Sequence, residues 1–295
     1  MTNPTANLDR DSFDYIQALV LERSAIVLDP SKAYLIESRL TPVARQHGYG
    51  TLAELVAALR NPGSMDLRQE VIEAMTTHET SFFRDIHPFE ALRSTILPRL
   101  IAARGQARSL NIWCAACSSG QEPYTIAMLL REHFPLLTQW NVRLLATDLS
   151  SQIVNRAREG VFTQTEVNRG LPAPLLVKHF QKVGLKWRLK DEIRRMVQFS
   201  EMNLVEAWPA MPRMDVVFLR NVLIYFSGET KRDILWKVER LLAADGCLFL
   251  GGAETTLNLS DAFARVTIDK SVCYQLQKVA GTRQLVGNEN LGKIA

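Results

Sequence analysis

Apolar residues recur at helical spacing through roughly the first 75 positions. Phe13, Ile16, Leu19 and Val20 share one face, and Ala33, Ile36, Leu40 and Val43 form a second stripe that Gly48 closes. Thr51 with Glu54 has the form of a capping box, opening a helix that buries Leu52, Leu55, Val56 and Leu59 until Asn61-Pro62-Gly63 stops it. Leu67, Val71 and Met75 mark one more amphipathic segment. The pattern predicts a small helical domain over residues 1–75.

After Thr77 the period changes. A helix around Phe89 to Leu100 precedes short apolar runs that alternate with helical periods. SLNIWCA, NVRLLAT, MDVVFL and CLFLGG read as strands; the helices between them begin after Pro123 and cover Ser151 to Arg158 and Glu229 to Leu242. Strands separated by helices imply parallel neighbours joined by right-handed crossovers. The expected class is α/β, a doubly wound, mostly parallel sheet over residues 76–295. FARVTI and VCYQLQK have no helix between them and read as an antiparallel finish. Within residues 161–200, a short helix near Leu175 to Phe180 and the runs KWRLK and MVQFS predict a small β-subdomain on the sheet. The polar tail after Lys278 is expected to fray.

Composition narrows the class. Lys plus Arg is 35 against 31 Asp plus Glu, a net charge of +4 with no concentrated basic patch, which argues against nucleic acid as partner. A hydrophobic content of 47% excludes a disordered chain. No apolar run approaches the ~20 residues that span a bilayer, so membrane insertion is not expected. MTNPTANLDRDSF lacks the form of a signal peptide, and four irregularly spaced cysteines form no disulfide framework. A cytoplasmic location follows as an expectation.

Chemistry concentrates where strands end. The first strand runs into Cys117-Ser118-Ser119-Gly120-Gln121-Glu122-Pro123, a turn of small residues opening a helix, which suits close approach of a nucleotide-like ligand. The glycine fingerprint for a pyrophosphate is missing, which disfavours a nicotinamide-dependent oxidoreductase. Glu122 suits a cationic or hydroxyl-rich ligand, or serves as a helix cap. Asp148 ends the second strand, placed to accept ribose hydroxyls or to cap the helix at Ser150. Arg220-Asn221 follow the strand MDVVFL, and Tyr225 lies nearby, either as core or as a hydroxyl at the ligand edge. His78-Glu79-Thr80-Ser81-Phe82-Phe83-Arg84-Asp85 reads as a wedge between domains, with Arg84 able to hold a carboxylate or form an interdomain salt bridge. Cys114 and Cys117 read as buried small residues, and the histidines form no metal-ligand cluster. Lys32, Arg39 and Arg45 make a modest basic stripe.

Taken together, HETSFFRD (78–85), NIWCAACSSGQEPYTIAM (111–128), LLATDLSSQIVNRAREGVF (144–162), MNL (202–204), DVVFLRNVLIYF (215–226) and LFLGGAET (248–255) resemble the CheR family of chemotaxis methyltransferases, in the family's order. The resemblance implies a Rossmann-like methyltransferase fold and a helical receptor-recognition domain. Its implied activity is transfer of a methyl group from S-adenosylmethionine to glutamates on chemoreceptor helices, with S-adenosylhomocysteine as product. It implies cofactor contacts from His78, Thr80, Arg84, Glu122, Asp148, Asn203, Leu204, Arg220 and Asn221, and places Arg84 and Tyr225 near the transferred methyl. His78 stands where Asn is common; Ser119, Gln121 and Cys114 replace the usual Thr, Glu and Ser. The implied partner is the cytoplasmic domain of a methyl-accepting chemoreceptor, met by a monomer, with the Lys32, Arg39 and Arg45 stripe steering docking. In some members a glycine-rich loop of the β-subdomain binds a receptor C-terminal pentapeptide. The corresponding loop here, Gln181 to Lys186, is short with a single glycine, so independence of that tether is expected. A catalytically silent binding module is the competing reading, disfavoured by Arg84, Asp148 and Tyr225.

Overall fold

The computed structural model describes residues 8–277; the tail after Lys278 lies outside them. Five segments build the N-terminal lobe: α1 (Arg10–Ser24), a 3-10 turn (Pro30–Lys32), α2 (Ala33–Gln46), α3 (Leu52–Leu59) and α4 (Met65–Met75). Their stripes meet in one apolar core around Ile16, Leu40, Leu55 and Val71. Thr51 caps α3 through the Glu54 N–H, but the Glu54 carboxylate reaches back to the Gly50 N–H at 2.7 Å instead of to Thr51. Only half of the expected box is made.

The second lobe begins with α5 (His87–Ala91), which continues through a π turn at Leu92–Ile96 into α6 (Leu97–Arg104). The expected single helix is thus longer and interrupted. Pro98 has no N–H to donate to the preceding turn, and the Leu97 N–H bonds to the Leu92 carbonyl across the widened turn. Then come β1 (Ser109–Ala115), α7 (Gln121–His133), β2 (Asn141–Asp148) and α8 (Ser151–Glu159). The insertion holds β3 (Val161–Thr163), α9 (Gln164–Asn168), α10 (Ala173–His179), β4 (Phe180–Val183), β5 (Lys186–Leu189) and α11 (Asp191–Arg194). The chain closes with β6 (Val197–Glu201), β7 (Met214–Leu219), α12 (Gly228–Leu241), β8 (Leu242–Leu250), β9 (Phe263–Ile268) and β10 (Ser271–Leu276).

The main sheet has seven strands in the order β6-β2-β1-β7-β8-β10-β9; β10 alone runs against the others, antiparallel to both β8 and β9. One expectation is corrected here. MVQFS is not part of the small subdomain: β6 pairs in parallel with β2, Leu144 opposite Val197 and Asp148 opposite Glu201. The subdomain is instead a three-stranded antiparallel sheet, β3-β5-β4. An edge strand is half covered, and β6, with one buried residue, gave a weaker apolar signal than β7, which is buried at all six positions.

From β1 the chain moves outward to β2 and β6, then returns to place β7 on the other side of β1. That reversal leaves a crevice outside the carboxyl ends of the central strands. Separate apolar cores fill the two faces of the sheet. Among the described residues no helix is long and apolar enough to cross a membrane.

Candidate active site

Four parallel strands deliver their C-terminal residues to one cleft. Ala116, Cys117 and Ser118 follow β1; Asp148 and Leu149 end β2; Met202, Asn203 and Leu204 follow β6; Arg220, Asn221 and Val222 follow β7. His78, Thr80 and Arg84 from the linker and Ser24 and Ile26 from the helical lobe close the opposite wall. The cleft encloses about 870 Å³ including its open mouth. All ten residues singled out from the sequence line it: His78, Thr80, Arg84, Glu122, Asp148, Asn203, Leu204, Arg220, Asn221 and Tyr225.

The turn after β1 is tightly wound. Ala116, Ser118 and Gly120 all take left-handed φ, at 53°, 51° and 92°. The Ser118 N–H then donates to Asp148 Oδ2 at 2.8 Å, and its hydroxyl to the His78 carbonyl at 2.8 Å. Asp148 does not cap α8. Ser150 does so with its own hydroxyl, bonded by the Ile153 N–H at 3.2 Å. Burial raises the pKa of Asp148, opposed by nearby His78 and by the N–H groups of Ser118, Ser150 and Leu149.

Arg220 is 6% exposed and its guanidinium faces protein groups. It binds Glu122 Oε2 at 2.7 Å, Asp85 Oδ2 at 2.7 Å and the Arg84 carbonyl at 3.1 Å, and lies over the Phe89 ring at 5.7 Å. It acts as a clamp joining the linker to the first helix of the sheet. Burial raises the pKa of Glu122 above the usual carboxylate range, and the attraction of Arg220 and Arg84 opposes it. Asn203 likewise spends its amide on the Arg23 carbonyl, at 2.8 Å, and on Glu206, at 3.0 Å.

Arg84 keeps one guanidinium nitrogen on the Glu79 carbonyl at 2.9 Å and makes no ion pair among the described residues. Tyr225, on a 3-10 turn (Leu223–Tyr225), has no hydrogen bond from its hydroxyl to any described residue. Its carbonyl accepts the Val27 N–H at 3.0 Å, beside an antiparallel bridge between Ile26 and Phe226. The helical lobe therefore holds the strand-end loop that carries Tyr225.

Two expectations change. Phe82 does not wedge between the lobes; it packs edge-on against Phe162 and Phe180 at 5.0 and 5.8 Å, anchoring the linker to the small subdomain. Arg39 is not part of a free basic stripe. Its guanidinium bonds the carbonyls of Met75 and Thr76 at 2.6 and 3.1 Å and the Thr77 hydroxyl at 2.9 Å. Arg45 is exposed, and the Lys32 side chain lies outside what is described. Cys114 and Cys117 are buried, and burial pushes both thiols up. Among the described residues no three His, Cys, Asp or Glu side chains group to hold a metal ion.

The sequence reading missed three supports. Glu254 accepts the N–H groups of Asn221, Gly251 and Ile224 at 2.8, 2.6 and 3.3 Å, fixing the loop after β7. Asn221 takes φ +59°, and a Cβ on Gly251 would sit 2.6 Å from its Nδ2, so glycine is required there. Lys237 holds the carbonyls of Leu204, Val205 and Glu206 at 3.0, 3.1 and 2.7 Å. Glu73 of α4 accepts Ser150 Oγ at 2.7 Å and the Ser151 N–H at 3.3 Å. A carboxylate at a strand end, as Glu254 is, was a visible signal; Glu73 carried none.

Known proteins resemble this chain over most of its length. Residues 78–272 match the model of the CheR methyltransferase SAM binding domain, and residues 11–76 that of the CheR methyltransferase all-alpha domain. The chain belongs to the CheR methyltransferase family. The Chemotaxis protein methyltransferase 1 of Pseudomonas aeruginosa is 39% identical over 274 residues, 92% of this chain and 98% of its own length. The Chemotaxis protein methyltransferase Cher2 of Pseudomonas putida is 36% identical over 276 residues, with 92% and 98% covered. The Chemotaxis protein methyltransferase 1 of Vibrio cholerae is 35% identical over 273 residues, with 91% and 98% covered. The chain is an S-adenosylmethionine-dependent methyltransferase, and the CheR cleft suits that cofactor. Buried Asp148 and partly buried Glu122 are acceptors for hydroxyl and cationic groups, and Ile26, Met202, Leu204, Val222 and Phe226 offer apolar surface of the kind a purine packs on.

Proposed function

We propose that this protein methylates glutamate side chains on the cytoplasmic helices of bacterial chemoreceptors, giving glutamate methyl esters for sensory adaptation. The observation carrying the reading is the pairing of Arg84 and Tyr225 with the acidic strand ends in one cleft, in a chain of this family. His78, Thr80, Glu122, Asp148, Asn203, Leu204, Arg220 and Asn221 form the proposed cofactor set. Asp148 takes the ribose, Glu122 faces the sulfonium side, and Arg220 holds Glu122 in place. Residues 1–75 serve as the receptor-recognition domain and residues 76–295 as the transferase domain.

Bound S-adenosylmethionine supplies an electrophilic methyl group on a sulfonium centre. The acceptor glutamate, with an ordinary pKa near ~4.3, is already ionised at neutral pH and needs no general base. An anion and a cation combine into neutral products, so water favours the separated reactants over the transition state. The protein's contribution is to align the two and exclude solvent. Arg84 and the Tyr225 hydroxyl, which forms no hydrogen bond with any described residue, orient the incoming carboxylate. A single light contact at each oxygen leaves the nucleophile reactive where a tight bidentate pair would blunt it.

The tight β4–β5 hairpin supports tether independence. Val183 pairs with Lys186, leaving a two-residue turn with Gly184 at φ +59° and little loop surface for a peptide. A cytoplasmic monomer completes the proposal.

Incubation with purified receptor cytoplasmic domains and radiolabelled S-adenosylmethionine tests the main reading. Base-labile label mapped by mass spectrometry to glutamates is expected. Label on nitrogen, or none on any receptor, would refute it. Micromolar calorimetric binding of a receptor C-terminal pentapeptide would overturn tether independence alone.

A further inference from the structure

A second cavity lies directly behind Arg220, outside the carboxyl end of β8 and the start of β10. It encloses about 820 Å³ including its mouth, and Arg220 lines both this cavity and the cleft. Its two acidic side chains are already committed. Asp85 is bound to Arg220 at 2.7 Å, and both oxygens of Glu254 accept backbone N–H groups. Its donors are not. Exposed Lys270 forms no hydrogen bond or ion pair with any described residue, and exposed Arg265 has only the Thr267 hydroxyl, at 3.3 Å. Ser271 is 4% exposed, lines the cavity, and its hydroxyl has no partner among the described residues; nor does the Nε of Arg220. Buried donors left unpaired are rare and costly.

Unmet N–H and O–H groups together with two uncompensated cations call for an anion. Resting on the glutamate-methylation reading, we propose that this cavity takes a second carboxylate of the acceptor protein while the reacting one enters the cleft. Lys270 and Arg265 attract it at the mouth, and Ser271 offers a hydrogen bond inside. The partition between the two chambers is the Arg220 side chain with its ion pairs. Carboxylates three or four residues apart on a helix, with Cβ atoms about 5–6 Å apart, straddle such a partition. The occupant is thus an acidic helical segment of the substrate, and the cavity sets which of its glutamates reaches Tyr225.

Steady-state methylation of a receptor cytoplasmic domain tests this, using Lys270→Ala, Arg265→Ala, the double variant, Ser271→Ala and Lys270→Arg. The double variant is expected to raise the acceptor KM about 5- to 10-fold with kcat unchanged and a shallower loss of kcat/KM with added salt. Lys270→Arg should restore most of the loss. S-adenosylhomocysteine affinity, measured by calorimetry, should match the parent in every variant and so report an intact fold. An unchanged acceptor KM in the double variant overturns the inference while leaving glutamate methylation standing. A parent enzyme that labels no receptor carboxylate removes both.

Discussion

Replacing Glu73 with alanine removes a buried carboxylate that joins the helical lobe to the strand end carrying Asp148. Glu73 is 7% exposed and accepts from Ser150 Oγ at 2.7 Å, the Ser151 N–H at 3.3 Å and Gln69 Nε2 at 3.1 Å. Ser151 opens α8, so the carboxylate also meets the positive end of that helix. Hydrogen bonds to charged groups are worth about 1.5–3 kcal/mol each, and a truncated partner leaves buried donors unmet. Partial replacement by water lowers the loss, leaving about 2–4 kcal/mol for Glu73→Ala. At about 2–4 °C per kcal/mol for a chain of this size, Tm should fall by roughly 4–16 °C. Glu73→Gln keeps one carbonyl acceptor for Ser150 but can turn an amide toward the Ser151 N–H, and should lose about half as much. The Ser150 N–H bonds Asp148 at 3.3 Å, so loosening this segment should also weaken S-adenosylhomocysteine binding. Thermal unfolding followed by circular dichroism, with calorimetry for the ligand, measures both. A Glu73→Ala protein that melts within about 1 °C of the parent and binds equally well would refute the reasoning.

Tyr225→Phe should lower kcat about 10- to 100-fold with Tm unchanged, because the hydroxyl bonds no described residue and its loss leaves the fold intact; Arg84→Ala with near-parent turnover would remove both of its proposed roles. Acidification should weaken S-adenosylmethionine binding at a higher pH than ordinary carboxylates would allow, since burial raises Glu122 and Asp148 and both must ionise. The loss should be steeper than for S-adenosylhomocysteine, which lacks the sulfonium charge, and equal pH profiles for the two ligands would count against Glu122. For stability the sign is opposite: the fold holds these protons more tightly than the unfolded chain, so the two acids favour folding most when protonated. That contribution is lost as pH rises from the unfolded pKa through the raised folded one. Gly170→Ala should destabilise by about 2 kcal/mol or more, read in urea, because φ is +84° and a Cβ would lie 2.0 Å from the Phe82 carbonyl oxygen. Val27→Pro deletes the N–H held by the Tyr225 carbonyl at 3.0 Å, at a position whose extended neighbour Ile26 tolerates a following proline. Its kcat should fall with little change in Tm, and unchanged kcat would show that the lobe contact does not position Tyr225.

How much was legible in the chain follows from what each element buries. MDVVFL is covered on both faces, so it reads as an unbroken apolar run and could be placed from sequence. Val197–Glu201 is an edge strand with one buried residue, and its pairing with β2 depends on topology that no local pattern encodes. Strand-end residues such as Asp148 and Arg220 were found because a doubly wound sheet sends its carboxyl ends to one crevice. Their partners were not. Glu73 meets Ser150 across 77 positions, and Arg220 meets Asp85 across 135. Arg39 looked like a surface charge because its three acceptors belong to another helix end and the linker beyond it.

These long-range bonds bear on how the two lobes work together. Val27 holds Tyr225, Arg23 receives Asn203, Glu73 accepts from Ser150 behind Asp148, and Arg39 grips the three residues that precede His78. Each joins the helical lobe to a residue lining the cleft, or to its immediate support, and most run through backbone groups. The helical lobe is therefore a wall of the cleft, in addition to its proposed role in docking. A charge reversal at Arg39 would disturb the linker and the cofactor side together, whereas one at exposed Arg45 leaves those bonds intact. Charge reversal at Arg45 is accordingly expected to separate the proposed receptor docking from cofactor binding. A protein reshaped on the outer face of α2 should lose acceptor affinity without losing the cleft.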